Sequence, residues 1–406
     1  MIAGLSGPFL VWGIGVWKFA GTAAALVSLP GTVELLLLTS AGILPYRRKT
    51  SAALLTSWSI AAVVPAHNEE DSIRICIQSL QSAAKENFKT ETVVIADNCT
   101  DATAAVARLA GATVLERQDP TRRGKGYALD FAFNALLDQG FDAFLIVDAD
   151  TTVQNNFFIE MSRLMQSGAA AVQCRYLGSR DAQTIRARLM IVAQRAFNIL
   201  RARGRHNLGF SCGIYGNGFG MRREVLEAVP YLADSLVEDL EYHLALIRSG
   251  RKVEFADRTM VYGQMPVSGK GLNAQRARWE GGRLRMLRQQ AGGLVTDVLT
   301  GRLRSFEPLL DLLLLPLAFH VTLLLVSAST PLPIVRWAGI LGLCTVAAHL
   351  LAGIVIGGGG WKDVTVLLGA PFYIAWKLIL IPSLVSHSRA NAKWVRSERA
   401  PGKTPL

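Results

Sequence analysis

Residues 143–150 read AFLIVDAD. Ala143 to Val147 form an unbroken apolar run, and Asp148 and Asp150 close it. A short apolar run ended by acidic residues is the pattern of a strand buried on both faces. Two runs of the same kind precede it, Ile60–Pro65 and Thr92–Asp97, each ending in Pro or Asp. Helical patterns lie between them. Asp71–Lys85 places Ile73, Ile77 and Leu80 on one face, and Ala102–Ala110 follows the second run. Strands alternating with helices predict an α/β domain with a parallel sheet covered on both faces. Such sheets bind ligands at the carboxyl ends of their strands, which is where these acidic residues fall.

The domain so defined, residues 51–300, is flanked by apolar sequence. Half of the 406 residues are apolar, a high share that points to spanning segments diluted by a polar domain. Residues 1–50 are expected to hold the N-terminal transmembrane segment. Thr22–Leu44 is long enough to cross about 30 Å of hydrocarbon, and Phe9–Phe19 reads as a second, shorter crossing or an interfacial stretch. A cleaved signal peptide is disfavoured because no Lys or Arg precedes the first apolar run. Arg47, Arg48 and Lys49 follow, and the positive-inside rule puts that end in the cytosol. In residues 301–390 three apolar stretches appear, at about 308–328, 334–357 and 364–385. Residues 391–406 continue a basic tail that begins near His387 and should also be cytosolic. A cytosolic domain and tail require an even number of crossings between them, so one of the three stretches should be re-entrant or interfacial. The expected location is the inner cell membrane, multi-pass, with the catalytic domain facing the cytoplasm.

The formal charge is +12, with the basic residues beside apolar segments rather than in a Lys-rich tail. That pattern favours membrane lipids and a phosphorylated substrate over nucleic acid. Five scattered cysteines (Cys76, Cys99, Cys174, Cys212 and Cys344) show neither zinc-site spacing nor a disulfide framework, and read as thiols in a reducing compartment.

Two carboxylates one residue apart at a strand end, Asp148 and Asp150, can share Mg²⁺ or Mn²⁺, hard cations that take oxygen ligands and complete their shell with substrate phosphates. The second strand opens into Asp97-Asn98-Cys99-Thr100-Asp101, where Thr100 or Asp101 suits a helix cap. The first runs into Pro65-Ala66-His67-Asn68-Glu69-Glu70, a turn-rich acidic loop at the same edge. Gly213-x-x-Gly216-x-Gly218-x-Gly220 does not follow the first strand or open a helix, so it reads as a permissive turn near an acceptor rather than a dinucleotide loop. Gly124-Lys125-Gly126 lacks P-loop spacing. The segment Ala182–Arg203 reads as an amphipathic helix on the domain or the bilayer surface, with no assigned chemistry.

Taken in order, Pro65-x-x-Asn68-Glu69, Asp97-Asn98-Cys99-x-Asp101-x-Thr103, Arg123-Gly124-Lys125-Gly126, Asp148-x-Asp150, Gly216-x-Gly218, Glu238-Asp239 and Gln275-x-x-Arg278-Trp279 resemble the family 2 glycosyltransferases of the GT-A fold. The resemblance covers about residues 58–290, and its membrane flanks are similar to the subgroup that builds cell-surface polysaccharides. It implies a Rossmann-like, mostly parallel sheet flanked by transmembrane helices. It also implies roles. Asp239 is the general base, with Glu238 its catalytic neighbour. Pro65, His67, Glu69, Asp97, Lys125, Asp148 and Arg278 serve the nucleotide and donor sugar. Asp148 and Asp150 serve the metal, and Gln275, Trp279 and Gly218 the acceptor.

Elementary chemistry agrees. A sugar hydroxyl needs a carboxylate to take its proton, an Arg fork matches phosphate, and a Trp face stacks a sugar ring. The implied activity is an inverting hexosyl transfer from a nucleotide-diphosphate sugar, UDP-linked, to a saccharide or lipid-linked saccharide, giving a β-linkage in exopolysaccharide synthesis alongside polysaccharide-export partners. A processive synthase that also translocates its polymer is the alternative within the family; a non-catalytic scaffold is the alternative outside it. Two departures stand out. Val237 precedes the Glu-Asp pair where the family often has Thr or Ser, and Ala96 precedes Asp97 where many synthases carry a second carboxylate.

Overall fold

The computed structural model describes residues 6–47, 58–84, 88–178, 184–232, 235, 237–264 and 269–379, and for 6–11 and 269–279 the backbone only. Eight strands form one sheet: β1 (Ser59–Ala66), β2 (Lys89–Asp97), β3 (Thr113–Arg117), β4 (Ala143–Ile146), β5 (Thr151–Val153), β6 (Ala171–Gly178), β7 (Phe219–Arg222) and β8 (Val253–Gly263), in the order β3-β2-β1-β4-β7-β6-β8-β5. β1 pairs in parallel with β2 and β4, and β2 with β3, so the three apolar runs lie side by side as expected. β7 enters antiparallel between β4 and β6, a feature strand–helix alternation alone does not announce. The sheet is thus an α/β, GT-A-like one with a parallel half and a mixed half.

Alternation along β1 divides the core. Ala61 and Val63 pack beneath helix α4 (Lys125–Leu136), through Ala128, Leu129, Ala132 and Phe133. Ile60, Ala62 and Val64 face the opposite layer. That layer is covered by α2 (Ile73–Ala83), through Ile73, Ile77 and Leu80, and by α5 (Phe157–Gln166), through Phe157, Phe158 and Met161. The connecting helix α3 (Thr103–Leu109) follows β2.

The N-terminal apolar sequence is a single helix, α1 (Ser6–Gly42), rather than two segments, and Pro30 lies inside it. Arg48, Lys49 and residues 391–406 lie outside the described residues. After the sheet come α10 (Gly269–Leu299), α11 (Phe306–Leu313), α12 (Leu317–Ala328), α13 (Pro333–Ile356), α14 (Trp361–Val366) and α15 (Ala370–Ile379). Among the described residues, two helices are long and apolar enough to cross a membrane, Trp12–Gly42 within α1 and α13. The stretch near 308–328 is not straight: α11, with the turn before it, meets α12 at 79°, and together the pair is long and apolar enough for a broken span or a re-entrant loop. Pro316 caps the start of α12, where its fixed φ and missing N–H break the helix.

The region 185–208 is α6 (Ile185–Gln194), a π-helical stretch (Arg195–Leu200) and α7 (Arg201–Leu208). It packs against α1 and α13. At Gly204 an added Cβ would stand 2.3 Å from the Leu38 carbonyl oxygen, so α7 and α1 touch backbone to backbone. Arg201 and Arg205 are 3% and 4% exposed. Arg201 is paired with Glu34 of α1 and, at 2.5 Å, with Asp311 of α11. Arg205 meets Glu307 and, also at 2.5 Å, Asp311, while Arg283 of α10 reaches Asp311 at 3.2 Å.

Gly204→Leu should force α1 from α7 and cost about 1–3 kcal/mol or more of overpacking, read as a lower unfolding temperature in detergent. Gly292→Ala in α10, where a Cβ meets nothing within 4 Å, should instead raise it.

Candidate active site

The strand ends converge on one cavity of about 930 Å³. Pro65, His67, Glu69, Asp97, Lys125, Asp148, Asp150, Glu238 and Asp239 all line it. Sequence separation between Pro65 and Asp239 is large, and only the sheet brings them together.

Two loops, after β1 and β2, border the cavity. After β1, Asn68 takes a left-handed turn at φ 55°, and after β2 Asn98 does so at φ 50°. Asn is among the side chains that tolerate this conformation. The loops are laced to each other. Asn68 Oδ1 accepts from Thr100 N at 2.7 Å, Glu69 N donates to Thr103 Oγ1 at 2.7 Å, and Glu70 Oε2 accepts from Ala102 N at 2.8 Å. His67 Nδ1 lies 2.7 Å from the Asp97 carbonyl, so the ring is held as a wall rather than left as a free base. Asp97 is buried and accepts from Arg117 Nη1 at 2.6 Å, a pairing across β2 and β3. Asp101, expected as a cap, accepts from Thr103 N and Oγ1. Burial opposes its ionisation, yet those hydrogen bonds prevail and hold its pKa below the usual value.

Asp148 and Asp150 flank the turn between β4 and β5. The turn is positioned by a residue that sequence motifs did not single out. Asn217, 1% exposed, accepts from Asp148 N at 3.1 Å and donates to Thr151 Oγ1 at 2.8 Å. Gln173, fully buried in β6, in turn donates to the Asn217 carbonyl at 2.8 Å and accepts from Tyr215 N at 2.9 Å. A polar residue at a strand position otherwise apolar was the signal for Gln173. Lys125, at the start of α4, bonds both Asp148 and the Gly216 carbonyl. Burial pushes its ammonium pKa down, but Asp148, Glu238 and Asp239 outweigh that and raise it, so it stays charged.

Glu238 and Asp239 open helix α9 (Glu238–Arg248). Asp239 accepts from Leu240 N at 2.8 Å and faces Gly216, whose missing Cβ would lie 3.3 Å from Asp239 Oδ2. Burial raises the Asp239 pKa, and the Lys125 charge partly counters it. His243, one turn on, pairs with Ser211 Oγ at 2.8 Å; burial, then Arg205, drives its pKa down to about 3, so it is neutral. Val237, the departure from the family pattern, is buried in a small cluster with Leu244, Met286, Leu294 and Leu312. Gly282 of α10 sits against it, where a Cβ would be 2.6 Å away. An apolar side chain there packs the Glu-Asp turn onto the helix that carries residues 275–279. Of Gln275, Arg278 and Trp279 the backbone lies in α10, and their side chains lie outside the described residues.

Gly218, to which the resemblance gives an acceptor role, packs against its neighbours in β6 and β8. With φ +66°, it is packed so that a Cβ would meet Cys174 Sγ at 2.5 Å and Val261 at 2.7 Å. Its place is the close approach of β7 to β6 and β8, while Gly213 and Gly216 of the same motif line the cavity.

Asp148 and Asp150 supply two hard oxygen donors, and among the described residues no group of three or more His, Cys, Asp or Glu side chains gathers as a metal site. That donor set suits a divalent ion whose remaining ligands come from a diphosphate.

The family described as "Glycosyltransferase like family 2" matches residues 58–282. A probable glycosyltransferase, YdaM of Bacillus subtilis, is 24% identical over 232 residues, covering 55% of this chain and 54% of its own. The low-salt glycan biosynthesis hexosyltransferase Agl6 of Haloferax volcanii is 32% identical over 112 residues, 28% of this chain and 26% of its own. This chain therefore spans about half of the first relative and about a quarter of the second. Among solved structures, the mannosyltransferase PcManGT of Pyrobaculum calidifontis, in complex with GDP-Man and Mn²⁺, aligns over 92% of this chain and 97% of its own at TM-score 0.53 and 16% identity. That likeness is one of fold, and it takes in the flanking helices as well as the sheet.

Gly218→Ala should lower the unfolding temperature through strain and collision, whereas an acceptor contact would change KM alone. Asn217→Ala should leave the fold largely intact and reduce turnover about tenfold to a hundredfold, as loss of support beneath ligating groups does, measured as nucleotide release.

Proposed function

The chain belongs to the glycosyltransferase family 2, and from that premise we propose that it is an inverting hexosyltransferase acting at a membrane, with Asp239 as its base. The observation that carries this is a single cavity holding the Asp148–Asp150 pair at one side and Asp239 at the other, with Lys125 between them. The donor in this reading is a nucleoside-diphosphate hexose, UDP-linked, and the acceptor a saccharide or lipid-linked saccharide.

The parts act as follows. The Pro65–Glu69 and Asp97–Asn98 loops bind base and ribose, their mutual hydrogen bonds leaving little to reorganise on binding. Asp148 and Asp150 would hold Mg²⁺ or Mn²⁺, whose charge supplies electrostatic stabilisation of the diphosphate leaving group. Lys125 adds a fixed positive charge beside the same oxygens. Asp239 takes the proton of the acceptor hydroxyl as that oxygen attacks the anomeric carbon from the face opposite the diphosphate. One displacement inverts the centre, so an α-linked donor yields a β-linked product. Gln275, Arg278 and Trp279, on α10, close over the diphosphate and the acceptor. The long apolar helices α1 and α13 support a multi-pass inner-membrane protein whose sheet domain faces the cytoplasm, working with polysaccharide-export partners.

Asp239→Asn should reduce transfer by about 10²–10⁴-fold, the usual share of a general base, while nucleotide binding by calorimetry is retained. Transfer undiminished in this variant rules Asp239 out as the base. The base works ionised, and its pKa is raised, so the acid limb of kcat/KM against pH should lie above that of an ordinary aspartate. Lys125→Gln removes the charge that holds this pKa down and should move the limb to still higher pH.

A further inference from the structure

The cavity does not end at Asp239. Past the base it continues between α6, α12, α13 and α15, where Leu189, Val192, Leu317, Val321, Val346 and Leu350 line it. Val346 is buried with Leu35, Leu314 and Leu324, and Leu317, Val321 and Leu350 pack on that cluster. Two polar residues that border the cavity are engaged by the protein: Gln194 Oε1, at the end of α6, accepts from Gly178 N at 2.7 Å, and Asn198 Nδ2, in the π stretch, donates to the Tyr176 carbonyl at 3.2 Å. The 79° break between α11 and α12 forms one corner of this chamber, and α13 on its wall is long and apolar enough to cross a bilayer.

Between base and chamber stands a collar of paired ions. Arg201, Arg205 and Arg283 are matched to Glu34, Glu307 and Asp311, and Lys377 of α15 is matched to Glu280 of α10. Four cations thus face four carboxylates, and the described collar offers hydrogen bonds without a net positive charge.

These walls discriminate among acceptors. A sugar polymer carries hydroxyls on every ring, and each one buried without a partner costs about 1–3 kcal/mol. A hydrocarbon chain gains about 0.8 kcal/mol per buried CH₂. A phosphate headgroup would meet carboxylates already holding the collar's cations. We infer that the acceptor is a lipid, whose hydrocarbon chain lies in the α6–α12–α13–α15 chamber while an uncharged hydroxyl headgroup passes the collar to Asp239. This rests on the transferase reading; it sets aside a free saccharide as acceptor and extends the lipid-linked one to lipids whose headgroup is a hydroxyl alone. In the step itself, the lipid hydroxyl oxygen bonds to the anomeric carbon and the bond from that carbon to the diphosphate oxygen breaks. The electron pair leaves with the diphosphate, and the hydroxyl proton goes to Asp239.

The full chain, reconstituted in vesicles of phosphatidylcholine, tests this with a diacylglycerol carrying a diazirine in one acyl chain. On irradiation, label is expected on 317–321 and 343–350. Val321→Trp should cut labelling of 343–350 severalfold while the outward-facing Ile334 and Val355, 86% and 73% exposed, label as before. With radiolabelled donor sugars, the product should partition into organic solvent. Label confined to outward faces overturns the proposal, as does a water-soluble polymer as the radiolabelled product. Transfer to a polyprenyl phosphate but not to diacylglycerol or a neutral glycolipid overturns the headgroup assignment. Release of nucleoside diphosphate with water as sole acceptor separates the outcomes. Release that no lipid accelerates sinks the lipid acceptor and leaves the transferase standing; no release from any donor sinks the transferase reading, while the labelling still decides the chamber.

Discussion

Asp311 receives three arginines, and much of the architecture depends on that meeting. Arg201 and Arg205 come from the segment beneath the sheet, Arg283 from α10, and the carboxylates Glu34 and Glu307 that complete the group from α1 and α11. Taking such ions out of water costs several kcal/mol each, and their mutual attraction returns this only when every member is in place. No subset is a comfortable arrangement. The first helix of the chain, the sheet domain and the helices after it are therefore tied into one unit by charges that are costly apart. Hydrophobic contact alone, between α7 and α1 or α13 and the π segment, would tolerate sliding; a multiply paired arginine does not.

The parallel half of the fold was legible because its signals are local. Ile60–Pro65, Thr92–Asp97 and Ala143–Asp148 are apolar runs with acidic or proline ends, and they became β1, β2 and β4 within a few residues of their expected bounds. The antiparallel entry of β7 was not legible. Phe219–Arg222 is four residues long and preceded by glycines, too short for periodicity to speak. The same ambiguity attends Gly218. Sequence shows that backbone must come close to something there, but not whether that something is a ligand or, as here, Cys174 and Val261.

Site residues divide in the same manner. Groups that would touch ligand, such as Asp148, Asp150, Glu238 and Asp239, stand out by chemistry and spacing. Groups that hold those in place, Asn217, Gln173 and Arg117, have no motif, since their role exists only through partners remote in sequence. Arg201 and Arg205 are the sharpest case. Arg201, on the segment read as amphipathic, and Arg205, just beyond it, look like surface charges, and only the acids arriving from α1 and α11 make their burial intelligible. The substitution at Val237 belongs here too: where a hydroxyl was the expectation, a valine packs beneath Gly282 and Met286, so that the turn bearing Asp239 rests on α10.

The π-helical stretch Arg195–Leu200 also sets a phase. A π turn carries an extra residue relative to an α-helix, and so rotates everything downstream by about 100° relative to what an uninterrupted helix would present. Upstream, α6 turns Leu189 and Val192 inward; downstream, after the rotation, α7 turns Arg201 and Arg205 inward. Loss of one residue from this stretch would restore regular α-helical hydrogen bonding and ease the local backbone. It would also swing both arginines away from Glu34, Glu307 and Asp311. The chain thus keeps a locally unfavourable turn because the interface beyond it requires one more residue than a regular helix would supply, and the segment's length, more than its composition, is what the interface constrains.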